Sequence, residues 1–227
     1  MITVLRKSTV RPSVIRAIGQ SRVFFANGLS LEPFLEKLEG ELPPRARLVE
    51  LALGMPDLIR VAKEETDHDH VHGGYDPHLW LDPTYGIRYV EKIQETLVSL
   101  DPAGRDSYTQ NAARYIAQIR QADANVQRCL AGVPQARRKL VSQHESLSYF
   151  NRHYKLQSVG SIADFVGQER GPASLARLAQ VMKKEGVRVI FVEPQFSQGQ
   201  ARALAEATGA RIVRIYSDAF DNTVNSY

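Results

Sequence analysis

The sequence predicts an α/β protein whose parallel sheets are flanked by helices, in two lobes joined by one long rigid helix. Three observations carry this expectation. Short apolar runs of strand length alternate with helix-period segments through the second half, as in Lys139–Ser142, Ala173–Glu185 and Arg188–Val192, and that rhythm builds a parallel sheet with helices on both faces. From Pro102 to Leu130 there is no further proline and the only glycine is Gly104, so one long helix can run there as a rigid spacer. The 227 residues, 43% hydrophobic and 24% charged, suffice to bury a core in each of two modest lobes. The expected boundaries are a first lobe over 1–100, a linking helix over 101–131 and a second lobe over 132–227.

Pro12 suits the first turn of a helix, and Val14, Ile15 and Ile18 give Ser13–Gly19 an apolar face. The stretch from Arg22 to Gly28 reads as a buried strand ending in a turn, Glu32–Leu38 as a short helix broken by Pro43-Pro44, and Arg47–Leu53 as a strand. Gly86–Leu100 carries Ile87, Val90, Ile93, Leu97 and Leu100 at helical spacing. In the long helix Tyr108, Ala112, Tyr115, Ile119, Ala122 and Val126 mark one face. Strands are then expected at Lys139–Ser142, Leu156–Ser161, Arg188–Val192 and Arg211–Tyr216, with helices at Ser146–Tyr154, Ala173–Glu185 and Gly199–Thr208. Ligand-bearing residues in such sheets gather at the carboxyl ends of strands. His144 and Glu145, Glu193 and Asp218 each follow one of these strands.

Charge and composition narrow the function classes. The formal net charge is +4 and the isoelectric point near 9.2, yet the cations are scattered and no aromatic residues interleave them as a nucleic-acid stacking platform requires. The single cysteine, Cys129, excludes an internal disulfide. No secretory apolar region is visible at the start, and no stretch approaches the roughly 18 apolar residues of a membrane span.

Histidines point to metal chemistry. Four of the six, His68, His70, His72 and His78, fall between positions 68 and 78. Neutral imidazole is the commonest protein ligand for metals, and it works best when its second ring nitrogen is fixed by a partner. The tract Asp67 to His72, followed by Gly73-Gly74, alternates acid and imidazole and suits auxiliary metal capture better than a tag remnant, because it is internal and acid-interleaved. His78 lies between Pro77 and Pro83 beside the only tryptophan, Trp80; spacing alone leaves open whether it is a ligand or a satisfied loop histidine. Asp218 can equally cap a turn, Glu193 is expected to order its strand end rather than bind metal, and His153 and Cys129 are expected to be packing or surface residues.

Five stretches match one family in order: Phe25 to Glu32 (FANGLSLE), Asp76 to Pro83 (DPHLWLDP), Gln143 to Phe150 (QHESLSYF), Phe191 to Phe196 (FVEPQF) and the closing Asn225-Ser226-Tyr227. The chain resembles the zinc- and manganese-binding solute receptors of bacterial metal ABC importers. The resemblance implies two α/β lobes, a long stiff helix and a divalent metal held by His78, His144 and Asp218. Histidine at position 144 resembles the zinc type, so Zn2+ is expected ahead of Mn2+, and the His-rich tract resembles the ion-collecting loop of zinc members. It further implies an ABC permease and its ATPase as partners, a monomer, no nucleic acid, and a periplasmic or membrane-anchored place outside the cytoplasm, although this chain shows no signal peptide. Relatives also carry an opening unit with a Pro-His pair before Arg11 and a last helix after Tyr227, so the chain is expected to be truncated at both ends, with the family's first histidine ligand absent.

Two other functions fit the same residues. Two histidines and an aspartate with an open fourth position describe a zinc hydrolase, with Glu145 as general base, although no His-Glu-x-x-His helix is present. A truncated remnant with impaired metal binding is the other. For a receptor, affinity is expected to fall as pH drops through the histidine range, because protons compete for the imidazoles.

Overall fold

A computed structural model describes residues 12–35, 46–61, 74–163 and 170–221. His68, His70 and His72, the end (36–38) of the helix expected over Glu32–Leu38, and the closing Asn225–Tyr227 lie outside them. The described residues divide into two compact units, up to Gln121 and from Ala122 onward.

In the first unit, helix α1 (Pro12–Gln20) precedes strand β1 (Val23–Ala26), which pairs in parallel with β2 (Arg47–Glu50) from Val23 opposite Arg47 to Ala26 opposite Glu50. Ile18, Ala26, Phe34 and Leu35 form a small buried cluster, with Val14, Phe24 and Leu48 packed against it. The alternation of a strand puts Phe24 and Ala26 on one face, which is how β1 meets α1. At the carboxyl end of β1 the chain reverses sharply: Gly28, Leu29 and Ser30 all have positive φ (83°, 54° and 62°). Glycine takes this conformation without penalty. Leu29 and Ser30 give up roughly 1–2 kcal/mol each to adopt it, so other contacts must hold the turn, and Glu32 does so by accepting from the N–H groups of Asn27 (2.8 Å) and Gly28 (3.1 Å).

Beyond β2, the Lys92 ammonium donates to the carbonyls of Glu50 (2.7 Å) and Leu53 (2.8 Å) and so fixes the loop that follows the strand. An isolated antiparallel bridge joins Arg60 to Tyr75, a pairing the sequence pattern does not reveal. A single 3-10 turn at Leu79–Leu81 leads into helix α2 (Pro83–Leu100). Asp82 caps it, accepting from the N–H (2.8 Å) and hydroxyl (2.7 Å) of Thr84. Helix α3 (Arg105–Ala131) is 27 residues long and buries only Ala112 and Ile119 outright. Ala122, expected on its apolar face, is exposed, and the half-buried positions continue through Asp123 and Val126. At 3.6 residues per turn a stripe through Ile119 passes to position 123 more directly than to 122.

The second unit is a parallel four-stranded sheet of β3 (Lys139–Ser142), β4 (Gln157–Ser161), β5 (Val189–Val192) and β6 (Arg211–Arg214), in the order β4-β3-β5-β6. Helices α4 (Ser148–Tyr154), α5 (Pro172–Glu185) and α6 (Gly199–Thr208) connect them. Val141, Ile190 and Val192 pack with Leu178 and Met182 of α5 and with Ala201 and Leu204 of α6. Leu140, which alternation turns to the opposite face from Val141, is also buried, so helices and loops cover both faces. Each fully buried side chain of this size stabilises the unit by roughly 1.5–3 kcal/mol. The last strand ends at Arg214 rather than Tyr216. It is an edge strand, mostly exposed, and Ile215 makes its last ladder-like bond, N–H to the carbonyl of Val192 (2.9 Å).

Candidate metal centre

Strand order reverses between β3 and β5, because β4 lies to one side of that pair and β6 to the other. Outside the carboxyl ends of the two strands at such a switch point the loops diverge and leave a crevice. His144 follows β3 and Glu193 follows β5, which places both at that point.

Their geometry is that of an imidazole and the carboxylate that fixes it. His144 is buried, and its Nδ1 lies 2.6 Å from Oε1 of Glu193, itself only 1% exposed. The other carboxylate oxygen of Glu193 accepts from Gln195 Nε2 (2.7 Å) and from the hydroxyl of Ser217. A carboxylate at Nδ1 fixes the tautomer that carries hydrogen there and leaves Nε2 as the lone-pair nitrogen. Asp218 extends toward that nitrogen, with Oδ2 at 3.5 Å from His144 Nε2. The Phe196 ring packs beside the imidazole, centroids 5.2 Å apart. Glu193 therefore orders the strand end, as its sequence position suggests, but through side-chain donors rather than backbone N–H groups.

In the first unit His78 is built the same way. Its Nδ1 lies 2.7 Å from Oδ1 of Asp76, and its backbone N–H donates to the same oxygen at 2.9 Å. Asp76 is 3% exposed, and its N–H donates to the carbonyl of Ile59 at 2.8 Å. The Trp80 ring lies 5.3 Å from the imidazole, as Phe196 does for His144. Behind this segment Asn27 donates to the carbonyl of Pro77 and accepts from Tyr89. Glu32, which holds the neighbouring turn, has its carboxyl pushed up by burial, an effect that the N–H groups of Asn27 and Gly28 oppose and the Glu50 charge adds to.

The structure brings His144 and Asp218 together within the second unit and gives His78 a carboxylate holder in the first. His153, by contrast, pairs with Asp123 at 2.9 Å between α4 and α3, and Cys129 is exposed. Sequence reasoning misses Asp76, Asn27 and Phe196 as supporting residues. The available signal was Asp76 two places before His78, where a short side chain can reach back to the ring.

The zinc-uptake complex component A periplasmic family, ZnuA, matches residues 7–227. The chain belongs to this family. It is 29% identical over 210 residues to the manganese-binding lipoprotein MntA of Halalkalibacterium halodurans, covering 92% of this chain and 66% of that protein. It is 32% identical over 154 residues to the zinc-binding lipoprotein AdcA of Streptococcus pneumoniae, covering 66% of this chain and 30% of that protein. The chain thus spans just under two thirds of the first relative's length and under a third of the second's. A crystal structure of ZnuA superposes with a TM-score of 0.77 and 29% identity, over 92% of this chain and 77% of that one. The family consists of binding receptors, not enzymes, and the hydrolase alternative also lacks support locally: Glu145, its general base, is exposed while His144 beside it is buried.

Proposed function

We propose that this chain is an extracytoplasmic receptor that captures a divalent metal ion, zinc in preference to manganese, and delivers it to an ABC permease driven by its ATPase. His78, His144 and Asp218 are the ligands, with the metal as cargo. The observation that carries this reading is the arrangement about His144. Its Nδ1 is held by buried Glu193 and its Nε2 stands 3.5 Å from the Asp218 carboxylate. A tetrahedral zinc shell with bonds of roughly 2.0–2.1 Å sets neighbouring donor atoms roughly 3.3–3.4 Å apart. The pair therefore has the spacing of two ligands on one ion.

His78, with Asp76 on its Nδ1, offers a second imidazole prepared in the same way. Two imidazoles and one carboxylate suit a borderline-soft ion such as zinc, whereas an all-oxygen shell suits manganese better. The relatives' names include both zinc-binding and manganese-binding proteins, so metal preference rests on the donor set. The tract that contains His68, His70 and His72 serves as auxiliary capture.

A competition titration of zinc and manganese against a chelating indicator, on metal-stripped protein, tests this. Zinc is expected to win, and His78→Ala, His144→Ala and Asp218→Ala should each weaken it by more than the roughly 10–100-fold typical for loss of a supporting partner. Unchanged zinc binding in the three variants would refute the ligand set.

A further inference from the structure

We propose that Asn27 is a positioning residue for His78, tying the carboxyl end of β1 to the backbone that presents the imidazole. The inference rests on the reading of His78 as a ligand. Asn27 is 9% exposed, and a buried carboxamide is tolerated only where its donors and acceptor are satisfied. Here both amide hydrogens have carbonyl partners: Nδ2 donates to the carbonyls of Gly28 and Pro77, each at 3.0 Å. Oδ1 accepts from the Tyr89 hydroxyl of α2 at 2.8 Å. The backbone N–H of Asn27 is in turn held by Glu32.

The bond to Pro77 is the informative one. Pro77 is the residue between Asp76, which fixes the ring nitrogen of His78, and His78 itself. Its carbonyl also accepts from the N–H of Leu79 at 3.0 Å, just before the 3-10 turn that begins with Leu81 N–H on the carbonyl of His78. Asp76 is anchored to Ile59 through its backbone. The tripeptide is thus pinned on one side by the segment after β2 and on the other by Asn27. Without Asn27 the Pro77 peptide loses its link to β1 across a separation of 50 residues, and the imidazole direction is no longer set by the sheet. The same amide bonds Gly28 within the left-handed turn, so one side chain fixes both the turn and the ligand segment.

Aspartate has the shape of asparagine but no amide hydrogens. In Asn27→Asp a carboxylate oxygen would face the carbonyls of Gly28 and Pro77 and repel both, while the Tyr89 hydroxyl could still donate. Tyr89→Phe removes one bond to Oδ1 and leaves both donated bonds in place. The experiment measures zinc dissociation constants and histidine ring 15N spectra of metal-free protein for wild type, Asn27→Asp, Tyr89→Phe and His78→Ala. A positioning role predicts zinc binding about 10–100-fold weaker in Asn27→Asp, a smaller loss in Tyr89→Phe, and altered ring signals for His78 with those of His144 unchanged. A purely structural role would lower thermal stability without singling out the His78 ring.

If Asn27→Asp does not fold, Tyr89→Phe decides by its His78 signals and zinc affinity. Wild-type zinc affinity and an unchanged His78 ring in the folded variants, with His78→Ala impaired, would overturn the inference while sparing the ligand assignment. Wild-type affinity in His78→Ala itself would overturn the ligand assignment and this inference with it.

Discussion

A buried carboxylate such as Glu193 is stable only while its oxygens are supplied with donors, and His144, Gln195 and Ser217 supply them. Glu193→Gln keeps an acceptor for His144 Nδ1 but removes the charge that raises the basicity of Nε2, so zinc affinity is expected to fall about 10–100-fold with the fold retained. Glu193→Ala leaves those donors buried without their acceptor and should destabilise the metal-free protein by roughly 1–3 kcal/mol. Indicator titration and urea denaturation read the two effects separately; a glutamine variant with full affinity would show that the carboxylate does not tune the ligand. At this scale the sequence marks His78, His144 and Asp218 as candidates, because each stands in a motif or a few residues beyond a strand. It does not reveal Asp76 as holder of a ring nitrogen, since which of several nearby carboxylates meets an imidazole depends on the turn at Pro77.

Among the elements, α2 is set by its cap. Asp82 accepts from Thr84 N–H and hydroxyl, and Asp82→Ala should cost about 1 kcal/mol in chemical denaturation, with a range of roughly 0.5–2; a neutral result would mean that packing alone starts the helix. Helix α3 is joined to α4 by Asp123 and His153. Burial pushes the Asp123 carboxyl up, but hydrogen bonds from His153, Gln127 and Tyr154 together with the His153 charge outweigh it and hold the group below its ordinary value. A carboxyl lowered by folding binds fewer protons in the native chain. Its stabilisation is therefore present above the unfolded value of about 3.9 and is lost as pH falls through the folded value. The stability gap between wild type and Asp123→Asn, within about 1 kcal/mol for a partly exposed pair, should be present near pH 5 or so and close below about pH 4. A gap independent of pH would contradict the pairing. The length of α3 is legible because proline and glycine are absent from it, while its tertiary partner is not: a single histidine on a short helix carries no mark of the aspartate it meets. The bridge between Arg60 and Tyr75 is equally silent, since one residue pair makes no periodic pattern.

For the molecule as a whole, the α/β class and the parallel sheet follow from the alternation of strand and helix, and the central place of β3 and β5 follows from their apolar residues, Leu140, Val141, Ile190 and Val192, all buried. The reversal of strand order between them comes from folding in three dimensions, yet it puts His144 and Glu193 side by side. Whether His78, His144 and Asp218 share one ion is decided by the crystal structure of the zinc-loaded chain with an anomalous map at the zinc edge. The account predicts one strong peak bonded to Nε2 of His78, Nε2 of His144 and a carboxylate oxygen of Asp218 at about 2.0–2.2 Å, with Asp76 and Glu193 still on the two Nδ1 atoms. A peak on Nδ1 of either histidine, or zinc bound without His144 and Asp218, would contradict it.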